Sequence, residues 1–96
     1  MTYSTHLLRH LRFIIGQNIH RLRAKEKMPL RKLARLSGVP ELLLDHYELG
    51  KNEIRLDELL KIACVLEVEV GELIIYPVMN FHHNPNSLLK KMAPLR

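Results

Sequence analysis

The chain has 96 residues, of which 47% are apolar, and this is enough for one domain with its own hydrophobic core. Its single cysteine, Cys64, excludes an internal disulfide and favours a reducing compartment. No apolar run approaches the roughly 18 residues that a membrane-spanning helix needs, and basic residues interrupt the N-terminal apolar pattern, which argues against a signal peptide. We therefore expect a soluble, cytoplasmic protein.

The net charge of +5 favours an anionic partner, and this charge is distributed unevenly along the chain. Residues 1–35 contain nine Lys or Arg and one acid, a net charge of +8. Residues 36–75 contain three basic and nine acidic residues, a net charge of −6, and residues 76–96 add three basic residues. The basic surface is therefore expected on the first third of the chain and on its last residues.

The first predicted element spans residues 5–26, where the apolar residues form one stripe at the helical period. Gly16 lies inside this pattern, and its low helix propensity leaves two alternatives open, a single helix or a bend at that position. Residues 1–12 form an N-terminal helical extension with Leu7, Leu8 and Leu11 on the stripe. Phe13 falls outside the stripe, so it is either part of a partner surface or a lone exposed aromatic residue.

Leu30 to Tyr47 is predicted to form two short helices joined by a sharp turn. Gly38 supplies the positive φ that such a turn requires, and Ala34 is small enough for two crossing helices to approach closely. Val39, Leu44 and Tyr47 then lie on one face of the second short helix, which begins at Pro40 or Glu41.

A further helix is predicted to begin at Leu56, and Gly50 closes the one before it. We expect this helix to bury Leu56, Leu59 or Leu60, Ala63 and Leu66, and to bury Cys64 as a small apolar residue. A short fifth helix follows at residues 71–75. Residues 77–96 form a C-terminal appendage that is a candidate for a dimer interface, as are residues 5–12.

The spacing Ala34-x3-Gly38-x5-Leu44-x2-Tyr47 resembles that of the lambda-repressor and Cro-like (XRE) family of helix-turn-helix DNA-binding domains. Three further segments resemble this family in register, namely residues 15–23, 47–51 and 56–74. The resemblance implies an all-α, five-helix helix-turn-helix domain over residues 13–76, flanked by the N-terminal extension and the C-terminal appendage. It also implies that Arg23 and Glu48 face each other behind the helix-turn-helix and form a buried ion pair.

The resemblance also implies which residues contact DNA. The second helix and the loop after the third would contact phosphates through Arg31, Lys32, Arg35, Lys51, Asn52 and Arg55. The third helix would enter the major groove and present Pro40, Glu41, Leu42, Leu43, Asp45 and His46. The family commonly has glutamine where this chain has Leu30, and a left-handed glycine where it has Glu67.

Two hypotheses about function follow. The first is a sequence-specific, double-stranded DNA-binding transcriptional regulator of the Cro/repressor type that acts as a homodimer. The second is a helix-turn-helix protein-interaction module, such as a subunit of a regulatory heteromer or an antitoxin-like complex. It would bind its partner through Leu42 and Leu43 or through the termini. The second hypothesis is motivated by the third helix, which is acidic and contains no Arg, Lys, Asn or Gln, the side chains that bind guanine and adenine bidentately.

No enzyme, cofactor or metal site is predicted. The chain has no nucleophile elbow, phosphate-binding glycine loop or paired-carboxylate motif. His6 and His10 are spaced as two metal ligands on a helix would be, but no third ligand follows in register.

Overall fold

The computed structural model describes residues 5–75, and in this range the chain forms five helices and no strands. The helices are α1 (Thr5–Lys25), α2 (Leu30–Ser37), α3 (Glu41–Glu48), α4 (Leu56–Leu66) and α5 (Val70–Ile74). The predicted all-α, five-helix architecture is therefore confirmed. The predicted C-terminal appendage, residues 77–96, lies outside the described residues.

One hydrophobic core holds the five helices together. Helix α1 packs against α3 and α5, while α2 packs against α3 and α4. Every helix contributes at least one buried apolar side chain to this core, including Ile19, Leu33, Leu44, Ile62 and Leu73. Burial of each such side chain stabilises the fold by about 1.5–3 kcal/mol.

Helix α1 is continuous through Gly16, so this segment is a single helix and does not bend at the glycine. Its last three turns carry the buried apolar stripe of Ile15, Ile19 and Leu22. Its first two turns continue the stripe with Leu7 and Leu8, which remain exposed to solvent, as does Phe13. Residues 5–12 of the N-terminal extension are thus an uninterrupted part of α1 with an exposed apolar face.

The buried amide of Asn18 joins α1 to the end of α5. Its Nδ2 donates hydrogen bonds to the carbonyl oxygens of Leu73, at 2.9 Å, and Ile75, at 2.7 Å. Arg21 donates in turn to Oδ1 of Asn18 at 3.1 Å. The last carbonyls of a helix have no partner within the helix. Asn18 supplies that partner for α5, which has only five residues and needs such support.

Two positions that end helices have the left-handed backbone conformation predicted for them. Gly38 ends α2 with φ 79°, and its N–H donates to the carbonyl oxygen of Ala34 at 2.9 Å. Glu67 ends α4 with φ 60°, in the left-handed region that the resemblance assigns to this position. A residue with a Cβ atom is strained there by roughly 1–2 kcal/mol.

The expected burial on α4 is partly wrong. Cys64, expected to be buried, is exposed, and so are Leu56 and Leu60. The face of α4 that meets the core consists of Leu59, Ile62, Ala63 and Leu66. These residues follow the spacing i, i+3, i+4, i+7, and positions 60 and 64 therefore point about 100° or more away from the centre of that stripe.

Candidate nucleic-acid interface

Helices α2 and α3 form a compact unit joined by three residues, Gly38–Pro40. The hydroxyl of Ser37 accepts a hydrogen bond from the N–H of Val39 at 3.2 Å, and the carbonyl oxygen of Pro40 accepts from Leu44 at 3.0 Å. Val39 is buried beneath the turn. These contacts set the angle between α2 and α3, and the geometry is that of a helix-turn-helix.

The core contacts of α3 determine which of its side chains are available to a ligand. Leu44 and Tyr47 are buried and hold the inner face of the helix. The outer surface contains four exposed residues among those predicted to enter the major groove, Pro40, Glu41, Leu42 and Asp45. The other two, Leu43 and His46, are half-buried, and Leu43 packs against the core. Leu43 thus packs against the core with part of its side chain, and its contact with DNA or a protein partner stays a prediction.

All six residues predicted to contact phosphates are exposed. They lie in two groups, one on α2 and one in the α3–α4 loop up to the start of α4, namely Arg31, Lys32, Arg35, Lys51, Asn52 and Arg55. Arg55 is also 3.2 Å from Asp57, in an ion pair whose side chains are 73% and 53% exposed. An exposed pair of this kind contributes little, so it does not prevent Arg55 from binding a phosphate.

The predicted ion pair between α1 and the end of α3 is present. Arg23 Nε donates to Glu48 Oε2 at 2.6 Å and Arg23 Nη2 donates to Glu48 Oε1 at 2.9 Å, so the pair is bidentate. The two side chains are 16% and 8% exposed. The hydrogen bond to Glu48 raises the pKa of Arg23 above its ordinary value. A third hydrogen bond, to the carbonyl oxygen of Met28, places the same guanidinium against the start of α2.

Comparison with known protein families identifies this arrangement. The family model described as "Helix-turn-helix" matches residues 19–73, which is more than half of the chain and contains α2, α3 and α4 entirely. The chain belongs to the helix-turn-helix family. It is of the XRE type, as the spacing of its motifs predicts. No curated protein matches the sequence.

Two solved structures resemble this helix-turn-helix protein. The restriction-modification controller protein C.AhdI from Aeromonas hydrophila is 31% identical, with a TM-score of 0.63, and the match covers 65% of this chain and 94% of that one. A hypothetical transcription factor, NHTF from Neisseria, has a TM-score of 0.68 at 24% identity, covering 88% of this chain and 86% of that one. The second likeness establishes similarity of fold.

Gly16 is a structural determinant of the site that sequence reasoning missed. A Cβ atom at this position would lie 2.8 Å from the carbonyl oxygen of Glu48 and closer still to that of Tyr47. Only glycine therefore lets the backbone of α1 approach the end of α3 this closely. The signal available in the sequence was a glycine in the middle of an apolar stripe, where propensity alone disfavours it.

The other side of α3 is joined to α4 through the buried phenol of Tyr47. Its hydroxyl donates a hydrogen bond to the carboxylate of Glu58. Burial, followed by this hydrogen bond, raises the pKa of Tyr47 to about 12. Helix α3 is consequently fixed from both sides, by α1 through Arg23 and Gly16 and by α4 through Glu58. Such rigid support positions the outer face of α3 for binding.

Neither a metal centre nor a membrane span is found in the part of the chain that the structure describes. No group of three or more His, Cys, Asp or Glu side chains among residues 5–75 could hold a metal ion. Within the same range, no helix combines the length and apolar character needed to cross a membrane.

Proposed function

We propose that this protein is a sequence-specific, double-stranded DNA-binding transcriptional regulator that acts as a homodimer. The observation that carries the proposal is the rigid α2–turn–α3 unit, with the outer surface of α3 exposed beside basic residues of α2 and the α3–α4 loop. The 31% identity to a restriction-modification controller protein over 94% of its length supports a regulatory role.

The charge distribution supports binding through the phosphate backbone. Arg31, Lys32 and Arg35 are exposed on α2, and none of them forms an ion pair with another of residues 5–75. Lys51 is exposed beyond the end of α3. The outer surface of α3 itself contains Glu41 and Asp45, which repel phosphates. Affinity must therefore come mainly from α2 and the loop, and α3 contributes selectivity.

A homodimer is proposed because one short α3 helix per binding event would give little affinity or specificity. Leu7, Leu8 and Leu11 are exposed on one stripe of the first turns of α1 and form a candidate apolar interface, whereas Phe13, also exposed, lies outside that stripe. Analytical ultracentrifugation with and without DNA tests this part of the proposal. A monomer at high micromolar concentration under both conditions would contradict it.

A salt titration tests DNA binding itself. The binding constant for a duplex selected from genomic fragments should fall steeply with salt, with a log–log slope proportional to the number of phosphates contacted. Arg31→Ala or Lys51→Ala should weaken binding to all sequences alike and flatten the slope by about one unit. Lys61→Ala is the matched control, because this exposed lysine lies on α4 and is not among the residues predicted to contact DNA. Equal slopes for all these variants would contradict the proposal.

A protein-interaction module is the second candidate, and one observation favours it. Leu42 on α3 and Leu49 just after it are both exposed, and an apolar, acidic surface is compatible with a protein partner. In that case Leu42→Asp would abolish capture of the partner, while DNA binding would stay weak. Equal affinity for selected and random duplexes at physiological salt would support this candidate over the regulator.

A further inference from the structure

The outward-facing side chains of α3 and its C-terminal end combine apolar and acidic character. Leu42, Asp45, His46 and Leu49 follow the spacing i, i+3, i+4, i+7, opposite the buried Leu44 and Tyr47. Leu42 is 69% exposed, the highest value among the exposed large apolar side chains of residues 5–75. It lies in the first turn of α3, and residues near the N-terminus of a recognition helix are those that contact base edges.

Base-edge chemistry limits what these side chains can recognise. Guanine is bound by Arg or Lys and adenine by Asn or Gln, and none of these residues occurs between Glu41 and Glu48. A leucine forms no hydrogen bond with a base, so the feature of the major groove that it can bind is the C5 methyl group of a pyrimidine. A carboxylate can only accept hydrogen bonds, and it therefore pairs with the amino group of cytosine or adenine.

From this combination we propose that α3 recognises a pyrimidine C5 methyl group in the major groove. Leu42 contacts the methyl group, and Asp45 accepts a hydrogen bond from an amino group on the same or the adjacent base pair. The two side chains lie three residues apart on the helix, about 5–6 Å between Cβ atoms, and successive base pairs are about 3.4 Å apart. The inference rests on the proposed function, and it specifies the DNA that this function selects.

Two bases carry the methyl group, and they differ in the atom beside it. Thymine presents a carbonyl oxygen next to the methyl group and an adenine amino group across the pair. In 5-methylcytosine the amino group is directly adjacent to the methyl group on the same ring. The acceptor at Asp45 is compatible with either arrangement, so the experiment has a separate arm for each base.

The test measures binding to one selected duplex in three chemical forms. The duplex is selected from a random pool at physiological salt and then prepared with ordinary bases, with uracil in place of thymine, and with 5-methylcytosine in place of cytosine. Each methyl group contacted should change the dissociation constant about fourfold, from about 0.8 kcal/mol per buried methylene-sized group, and about 15-fold in a symmetric dimer. Weaker binding of the uracil form assigns thymine, and tighter binding of the methylcytosine form assigns 5-methylcytosine.

Two variants show whether Leu42 is the residue responsible. Leu42→Ala should bind all three forms with the same affinity, and its high exposure means that the fold is retained, which circular dichroism verifies. Leu60→Ala is the matched control, because this exposed leucine lies on α4 and should leave the preference for methyl groups unchanged. Equal binding of all three forms by the unmodified protein overturns the inference, as does an unchanged preference in Leu42→Ala. If no duplex is bound in any form, the proposed function itself fails.

Discussion

Replacing Gly16 with alanine tests whether tertiary packing or helix propensity decides the stability of α1. Propensity alone favours the alanine variant by about 1 kcal/mol, since glycine is a poor helix former. The structure predicts the opposite result. The added Cβ atom would lie 2.8 Å from the carbonyl oxygen of Glu48 and closer to that of Tyr47, and both are backbone atoms that cannot move independently of α3.

The expected magnitude follows from these two opposing effects. Overpacking a tightly packed interface costs about 1–3 kcal/mol and occasionally more, and backbone neighbours place this position at the upper end of that range. After the propensity gain is subtracted, Gly16→Ala should lower the free energy of unfolding by about 2 kcal/mol. In a domain of this size the melting temperature should fall by about 8–16 °C.

Gly71→Ala provides the matched control, because Gly71 is also helical but a Cβ atom there would meet nothing within 4 Å. This variant should be as stable as the unmodified protein or more stable. Urea and thermal unfolding, followed by circular dichroism, measure both variants. If Gly16→Ala is as stable as Gly71→Ala, then α1 and α3 do not approach as closely as described, and the reasoning is refuted.

Three further predictions concern the contacts around α3 and the end of α4. Arg23→Ala should lower the free energy of unfolding by about 3 kcal/mol because it removes the bidentate guanidinium and leaves the buried Glu48 carboxylate with only the exposed His20 imidazole, 3.0 Å away, as a side-chain partner. Loss of the exposed Arg55–Asp57 pair in Arg55→Ala should cost less than about 0.5 kcal/mol, and similar losses in urea unfolding would contradict this. Glu67→Gly should raise stability by about 0.5–1 kcal/mol, since it relieves the left-handed strain at φ 60°, and a lower unfolding midpoint would be the contrary outcome. The pKa of Tyr47 is raised from 10.0 to about 12 in the folded protein. The protonated phenol therefore contributes to the free energy of unfolding in full below pH 10, and this contribution is lost as the pH rises towards 12. Tyr47→Phe should therefore show a flatter decline of stability over that interval than the unmodified protein, and parallel curves would argue against it.

The helices and the turn of this protein were predictable from the sequence because they depend on local physical chemistry. The 3.6-residue apolar period and the positive φ required at Gly38 both act within a few residues. The resemblance to the XRE family also predicted the Arg23–Glu48 pair, and this resemblance rests on residue spacing. The exposed basic residues of α2 followed from the same helical period.

Contacts between helices decided the remaining features, because they depend on which element lies opposite a given residue. The period of α4 indicated an apolar stripe, but only packing against α1 and α2 oriented it so that Ile62 is buried and Cys64 is exposed. Gly16 was unfavourable by propensity and became necessary only where the backbone of α3 approaches it. Asn18, a polar residue within an apolar stripe, is accommodated because the unpaired carbonyls at the end of α5 lie within hydrogen-bonding distance. Local spacing thus determines which helices form, whereas the atoms across each interface determine what a side chain does there.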